Sequence, residues 1–514
     1  MKRSLAGLAL IVAVASCSLT ETNKWRIPAS YTDSGDIYAL IDQLGDDIEK
    51  PVASAKECRD GLSEYYQQFF TLTTDKINTS LLKGEYLDRV LKRSFETRLA
   101  IKEKLKQLTE AKTVDEVGCL SAVRDMIRVL RYIEDYMVEF KEIKEEGKAA
   151  EEFKSLEGDE PYLIVNPAYK SNFKDWRDLK SGDIILSRGN AYSSAAIARI
   201  GSVDAQFSHL SLVYKDEKGK LFTIEAHIEI GNITAPIEEH LHGLNAREVV
   251  FRFKNEKVAA KAAKYMYEKV KAKQDAGKNI RYDFGMDYKD NKKLFCSEVI
   301  YDGYQFASDN TLNMPLFKTK FNKGLIPFLN KLGIKVNERN VDSFDTFAPG
   351  DIEFDPRVDL VAEFRNPSKL QDVRMKDAIL TKFFQWMENE NYQFDPTTRM
   401  GLKAHAAWWM RRTPFIKKKL QEKFPLNMKT EQLKMFMVLD VVAEMFHEHL
   451  TELHKKRDLP MTPVEMYRAI EEFKVIDAAK YNDRKHRKEA KFHKYFRPME
   501  KVVEAERNVP FRGD

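Results

Sequence analysis

The stretch Leu294-Phe295-Cys296-Ser297-Glu298-Val299-Ile300 places a cysteine at the start of a predicted helix. Unpaired backbone N–H groups and the helix dipole favour a thiolate there, and the N–H of Cys296 itself is a candidate oxyanion donor. A cysteine nucleophile also needs a base. Residues 207–214, a charged turn at 215–220 and residues 221–226 read as a β-hairpin that carries one, His209. Side chains alternate along a strand, so Leu210, Leu212, Phe222, Ile224 and Ala226 can fill one face while His209, Ser211, Thr223 and Glu225 share the other. With the turn centred on Glu217, His209 faces Glu225 at about 5 Å between β-carbons. A carboxylate there can orient and charge-stabilise the imidazole. His227, two residues further on the same face, is the rival for that place.

The elements that must position these residues lie in the middle of a 514-residue chain, long enough for several domains. From 36 to 148 apolar residues recur at helical spacing, as in Val123, Ile127, Leu130, Ile133, Met137 and Phe140, which predicts a helical domain over 36–158. Near Gly158 the texture changes. Short β-rich runs at 183–187, 207–214, 221–226 and 249–253 alternate with helical stretches at 193–200, 256–273 and 297–306, which predicts a mixed domain over 159–370. After Pro367 the pattern is helical again, broken near Pro396, Pro414, Pro425 and Pro460, giving a C-terminal helical domain over 371–514. The fold class is α+β.

With 43% hydrophobic and 32% charged residues the chain can bury cores, which excludes wholesale disorder. The 85 basic and 80 acidic residues are too nearly balanced to point to a nucleic-acid partner. The run 474–494, rich in Lys, Arg and His, is read first as a solvated helix face and second as a contact for an anionic membrane or cell-wall polymer.

Five segments occur in order: Ser181-Gly182-Asp183-Ile184-Ile185-Leu186, Ser208-His209-Leu210-Ser211-Leu212-Val213, Thr223-Ile224-Glu225-Ala226, Tyr282-Asp283-Phe284 and Phe295-Cys296-Ser297-Glu298-Val299-Ile300. Together they resemble the circularly permuted papain-like amidases of the YiiX/YebB type, relatives of the NlpC-class cell-wall cysteine hydrolases. A sixth, Ala348-Pro349-Gly350-Asp351-Ile352, is similar to the segment that closes the family's domain. The resemblance spans 159–367 and is silent on both flanks. It implies a permuted papain-like (NlpC-like) core with an antiparallel sheet, and the helical spacing on either side adds N- and C-terminal all-α helical domains. It also implies the catalytic order His209, Glu225, Cys296, with Tyr282 binding substrate or an oxyanion and Asp283 ordering the loop before the nucleophile.

The N-terminus reads as an address. Lys2 and Arg3 precede an apolar run from Leu5 to Val14, and Val14-Ala15-Ser16-Cys17 resembles a bacterial lipobox. This predicts a signal peptide over 1–16, lipidation of Cys17, a linker over 17–35 and a body anchored in the cell envelope, at the outer membrane by the resemblance of Ser18 to enteric-type sorting. Of the remaining cysteines, Cys58 and Cys119 either pair or stay as buried thiols. His447-Glu448-His449 begins like a zinc-protease pattern, but Thr451 stands where the second ligand should be. His240 and His242 lack a third ligand and are expected in an exposed polar loop. Neither a cofactor nor a metal site is implied. The leading function is an envelope cysteine amidase or endopeptidase acting on cell-wall peptides. Its rivals are a lipid amide or ester hydrolase, or acyltransferase, on the same triad, and a non-catalytic envelope scaffold.

Overall fold

The computed structural model describes residues 25–52, 54–112, 118–144, 154–242, 245–288, 292–410 and 428–499. The expected signal peptide and Cys17 lie outside the described residues. The described residues open with five α-helices, α1 (Ala29–Ser34), α2 (Ile37–Glu49), α3 (Ala55–Phe70), α4 (Glu85–Glu110) and α5 (Cys119–Lys144). The middle of the chain contains β1 (Leu163–Val165), β2 (Ile184–Gly189), α6 (Tyr192–Ile197), β3 (His209–Lys215), β4 (Leu221–His227), β5 (Gly231–Pro236) and α7 (Ile237–Leu241). It continues through β6 (Asn245–Phe253), α8 (Glu256–Asp275), β7 (Arg281–Tyr282), β8 (Lys293–Leu294), α9 (Cys296–Ala307), α10 (Ile326–Leu332) and β9 (Val358–Arg365). The rest is α11 (Pro367–Glu390), β10 (Tyr392–Phe394), α12 (Thr398–Met410), α13 (Thr430–His454), α14 (Pro463–Asn482) and β11 (Phe496–Pro498).

Seven strands form one sheet in the order β1-β9-β6-β2-β3-β4-β5, with every neighbouring pair antiparallel. The mixed fold of helices with an antiparallel sheet agrees with the α+β expectation. β1, β5 and β9 are additions to the strands legible in the sequence. β9 holds a central place, between β1 and β6, although it comes from more than a hundred residues later than β6. One face of the sheet is covered by α8 and α9, where Leu210, Leu212, Ile224 and Ala226 pack with Ala262, Met266, Val299, Ile300 and Tyr304. The opposite face buries Ile185, Val213, Val250 and Val361 against Leu156, Phe173 and Leu179.

The hairpin is present with its two faces as expected, but its register differs. Ser211 lies opposite Glu225 and Leu212 opposite Ile224, so the turn is centred on Lys218 rather than Glu217. Asp216 sets it: its Oδ1 accepts the backbone N–H of Lys218 at 2.9 Å and of Lys220 at 2.8 Å, and Gly219 takes φ +81°. The shift is even, so His209 and Glu225 keep one face and become diagonal rather than direct neighbours.

Other expectations need revision. The C-terminal flank is not wholly helical, because β10 and β11 pair as a short antiparallel ribbon. The stretch expected as a linker carries α1, and Trp25 is buried against Gly61 on α3, where an added β-carbon would meet its ring at 2.4 Å. Cys58 and Cys119 form a disulfide that ties α3 to α5. His447 pairs with Asp372 at 2.7 Å and His449 stacks on Phe473, which accounts for that motif without a metal.

Candidate active site

Cys296 is the first residue of α9, and the helix start is held firmly. Glu298 Oε2 accepts the N–H of Phe295 at 2.8 Å, and the N–H of Glu298 donates to the Phe295 carbonyl at 3.0 Å. That exchange satisfies two of the orphan groups of the first turn and fixes the entry of the chain. Further along, Gly303 lets α9 approach α8, where a β-carbon would meet Met266 at 2.9 Å, and Tyr304 donates to the Gly182 carbonyl at 2.9 Å. The segment before Cys296 is tied to the sheet edge. Asn232, fully buried in β5, donates through Nδ2 to the carbonyls of Ile280 at 3.2 Å and Leu294 at 3.1 Å. Gly231, at φ +80°, brings β5 so close to Ile280 that a β-carbon would lie 2.3 Å from its carbonyl oxygen.

His209 opens β3. Its Nε2 lies 2.9 Å from Glu225 Oε2, which leaves Nδ1 for Cys296. The thiol and the imidazole interact: burial pushes the His209 pKa down, but the hydrogen bonds with Cys296 and Glu225 more than offset it and raise the pKa to about 9. The Glu225 side chain is 5% exposed and is approached by three imidazoles: His209, His227 Nε2 at 3.2 Å and His240 Nδ1 at 3.2 Å. Burial opposes its charge, yet these neighbours, His240 foremost, hold the carboxyl well below its ordinary range. Thr223 Oγ1 adds a hydrogen bond of 2.5 Å to Glu225 Oε1.

His240 is not in an exposed loop, contrary to expectation. It sits on α7 with a side chain 3% exposed, and its Nε2 lies 3.1 Å from Glu248 Oε1, an ion contact rather than an aligned hydrogen bond. Burial opposes its charge, but Glu225 and Glu248 on either side raise its pKa well above the ordinary histidine value. The sequence did carry a signal for this. Ile237, His240 and Leu241 stand at the i, i+3, i+4 spacing of a buried helix face, and all three are buried. Asn232 carried none.

His209, Glu225, His227, His240, Tyr282 and Cys296 line one cavity of about 360 Å³, together with Ser208, Ile228, Glu229 and Glu239. No Lys or Arg is among its lining residues. Tyr282 is buried, and its phenol is raised well above the usual tyrosine value, by burial first and by Cys296 second. Asp283 does not line the cavity. Its carboxylate accepts the backbone N–H groups of Gly285 at 3.0 Å and Asp287 at 3.3 Å, and so shapes the turn after β7. A second, tighter and largely apolar cleft also reaches Cys296, between Ile200, Phe295, Phe321, Phe347 and Pro349.

His209, Glu225 and His227 each present a ligand atom within 4.8 Å of the others, a spacing that admits a metal ion. His209, Glu225 and His227 would hold such an ion, and a cation taken by Nε2 of His209 and Oε2 of Glu225 would replace the proton those two atoms share.

Among curated proteins none matches the chain. A crystal structure described as metalloprotein yiiX from Escherichia coli O157:H7 is similar at 20% sequence identity, over 35% of this chain and 96% of that one, with a TM-score of 0.25. Residues 178–326 match the family model described as permuted papain-like amidase enzyme, YaeF/YiiX, C92 family. That match encloses all five ordered segments and ends before Ala348, so the central part of the chain is similar to that family over 178–326.

Proposed function

We propose that the protein is a cysteine amidase in which His209 and Cys296 exchange a proton and the Cys296 sulfur attacks an amide carbonyl. The observation that carries this reading is the chain of contacts in one cavity: Cys296 at a helix start, His209 against it, and Glu225 on the far nitrogen at 2.9 Å. The sulfur adds to the carbonyl carbon and the carbonyl oxygen takes the negative charge, beside the first-turn N–H groups of α9. The amine leaves with the proton from His209, and the acyl group stays on sulfur. Water, deprotonated by His209, releases the acid and restores the thiol. Glu225 keeps Nε2 protonated and so presents Nδ1 to the sulfur throughout. Tyr282, beside the sulfur, contributes to binding the carbonyl.

Cell-wall peptides are the proposed substrates and a lipid-anchored envelope enzyme the proposed setting, on the family resemblance and the lipobox-like N-terminus. Alkylation with a mild thiol reagent across pH 5 to 9, read by mass spectrometry, tests the thiol chemistry. Labelling of Cys296 at neutral pH is expected, slowed about tenfold or more by His209→Ala. Equal rates in the two proteins would sink the proposal. Chelation is expected to leave hydrolysis of cell-wall fragments unchanged. Its loss on chelation, with labelling intact, would replace the thiol mechanism by a metal-dependent one.

A further inference from the structure

The helix α12 carries an unusual surface. Leu402 is 72% exposed and Trp409 67% exposed, and with Ala406 they stand at i, i+4, i+7, in one stripe on its outer face. Arg399 and Lys403, both exposed and one turn apart, line one edge of the stripe, and the helix contains no Asp or Glu. Its inner face is well anchored: Ala404 packs with Met428 and Leu433, and Trp408 joins Ile228 and Phe284 against the same cluster. Those last two contacts locate the helix. Ile228 lines the catalytic cavity, and Phe284 packs edge-on against Tyr282 with ring centroids 5.1 Å apart. Ile230, 53% exposed, lies two residues past Ile228 in the connection to β5.

We infer that α12 docks the protein on an anionic phospholipid surface, with Leu402 and Trp409 entering the headgroup–acyl boundary and Arg399 and Lys403 meeting lipid phosphates. An apolar stripe edged by bases, on a helix too short and too polar to span, is the composition of an interfacial helix. The charge pattern disfavours the other occupant of such a face, a second copy of the chain, because two such helices bring base against base with no acid to answer it. Docked in this way, the helix stands between the lipid and Ile228 and keeps the cavity about one helix diameter, roughly 10 Å, from the lipid boundary. The inference stands apart from the thiol mechanism and survives its failure.

The test uses the chain from Ser18, which retains every described residue and lacks the expected lipid anchor. It is sedimented with vesicles of phosphatidylcholine alone and of phosphatidylcholine with about a quarter phosphatidylglycerol. Binding to the anionic vesicles is expected, weakened about tenfold or more by Leu402→Ser with Trp409→Ser and by Arg399→Glu with Lys403→Glu, while Cys296 labelling is unchanged. Three outcomes overturn the inference: no sedimentation with either vesicle, binding that both double variants leave intact, or a dimer in the ultracentrifuge that Leu402→Ser with Trp409→Ser dissolves. The last would make the face an interface between copies. Because the substituted side chains are exposed, the variants are expected to melt with the parent, and the two pairs of changes check each other.

Discussion

His209 draws its raised pKa from two partners, and they can be separated. In Cys296→Ala the Glu225 hydrogen bond remains while the sulfur is lost, so the imidazole should titrate below about 9, as read from its ring-proton NMR shifts. The sign for stability follows from the direction of the shift. A histidine whose folded pKa exceeds its unfolded value stabilises the fold fully below about 6.5 and loses that contribution as pH rises through about 9. The melting temperature of the parent should therefore decline across that window, and decline less in His209→Gln. His240→Gln removes a buried group set between two carboxylates, which leaves Glu225 and Glu248 facing less positive charge. A loss of roughly 3 kcal/mol in denaturant unfolding is expected, with the His209 titration displaced upward. Cys296, His209 and Glu225 were legible from residue type and order along the chain. His240 was not, because a histidine in a short segment between a proline and a glycine reads as loop until its neighbours at i−3 and i+1 are counted.

The hairpin shows what such reasoning resolves and where it stops. Alternation fixed which side chains share a face, since that depends only on parity. The register did not follow from it, because a turn anchored by Asp216 and Gly219 has its centre at Lys218, one residue later than Glu217. Gly219 has φ +81° and open space around its α-carbon, so Gly219→Ala should cost about 1 kcal/mol by backbone strain alone and leave Cys296 labelling untouched. Gly182 differs. It has φ +93° and faces Ala259 across a gap where a β-carbon would lie 2.4 Å from that side chain, so Gly182→Ala should cost more than Gly219→Ala in the same urea titration. β1 and β9 were missed for other reasons: a strand of three residues shows too little periodicity, and β9, buried on both faces with Glu363 and Arg365 inside, shows no clean alternation.

The helical flanks and the sheet are joined by buried charge that no local pattern announces. Arg98 and Arg131 pair with Glu363 at 2.5 and 3.0 Å, Arg365 with Asp135 at 3.0 Å, and Arg247 with Asp135 at 2.6 Å. Asp377 on α11 receives Arg188 at 2.8 Å, Arg199 at 2.7 Å and Arg247 at 3.3 Å. These partners come from α4, α5, β2, the turn after α6, β6, β9 and α11 and lie far apart in sequence, which is why the reading of separate segments could not see them. Burial alone would raise Asp377, but its three guanidinium partners hold it far below the ordinary carboxylate range. A depressed carboxylate stabilises the fold above its unfolded pKa of about 4 and loses that contribution as pH falls toward the folded value. Acid unfolding should therefore begin below about pH 4, and at higher pH in Asp377→Asn, which leaves three buried arginines short of an anion and should cost about 3–5 kcal/mol by calorimetry or urea titration.

The bond between Cys58 and Cys119 also bears on the order in which the chain is made. Both of those cysteines emerge well before Cys296, by roughly ten seconds or more at ordinary synthesis rates. Wherever the nascent chain meets an oxidant, the two early thiols can find each other, 5.4 Å apart between α-carbons once α3 and α5 pack, before the third arrives. Cys296 then enters a molecule with no thiol left to capture it among the described residues, and it folds as the free sulfur. Early pairing of Cys58 with Cys119 would keep Cys296 free by timing alone, and exchanging the positions of pairing and free cysteines along the chain should lower the yield of protein that can be labelled at the cavity.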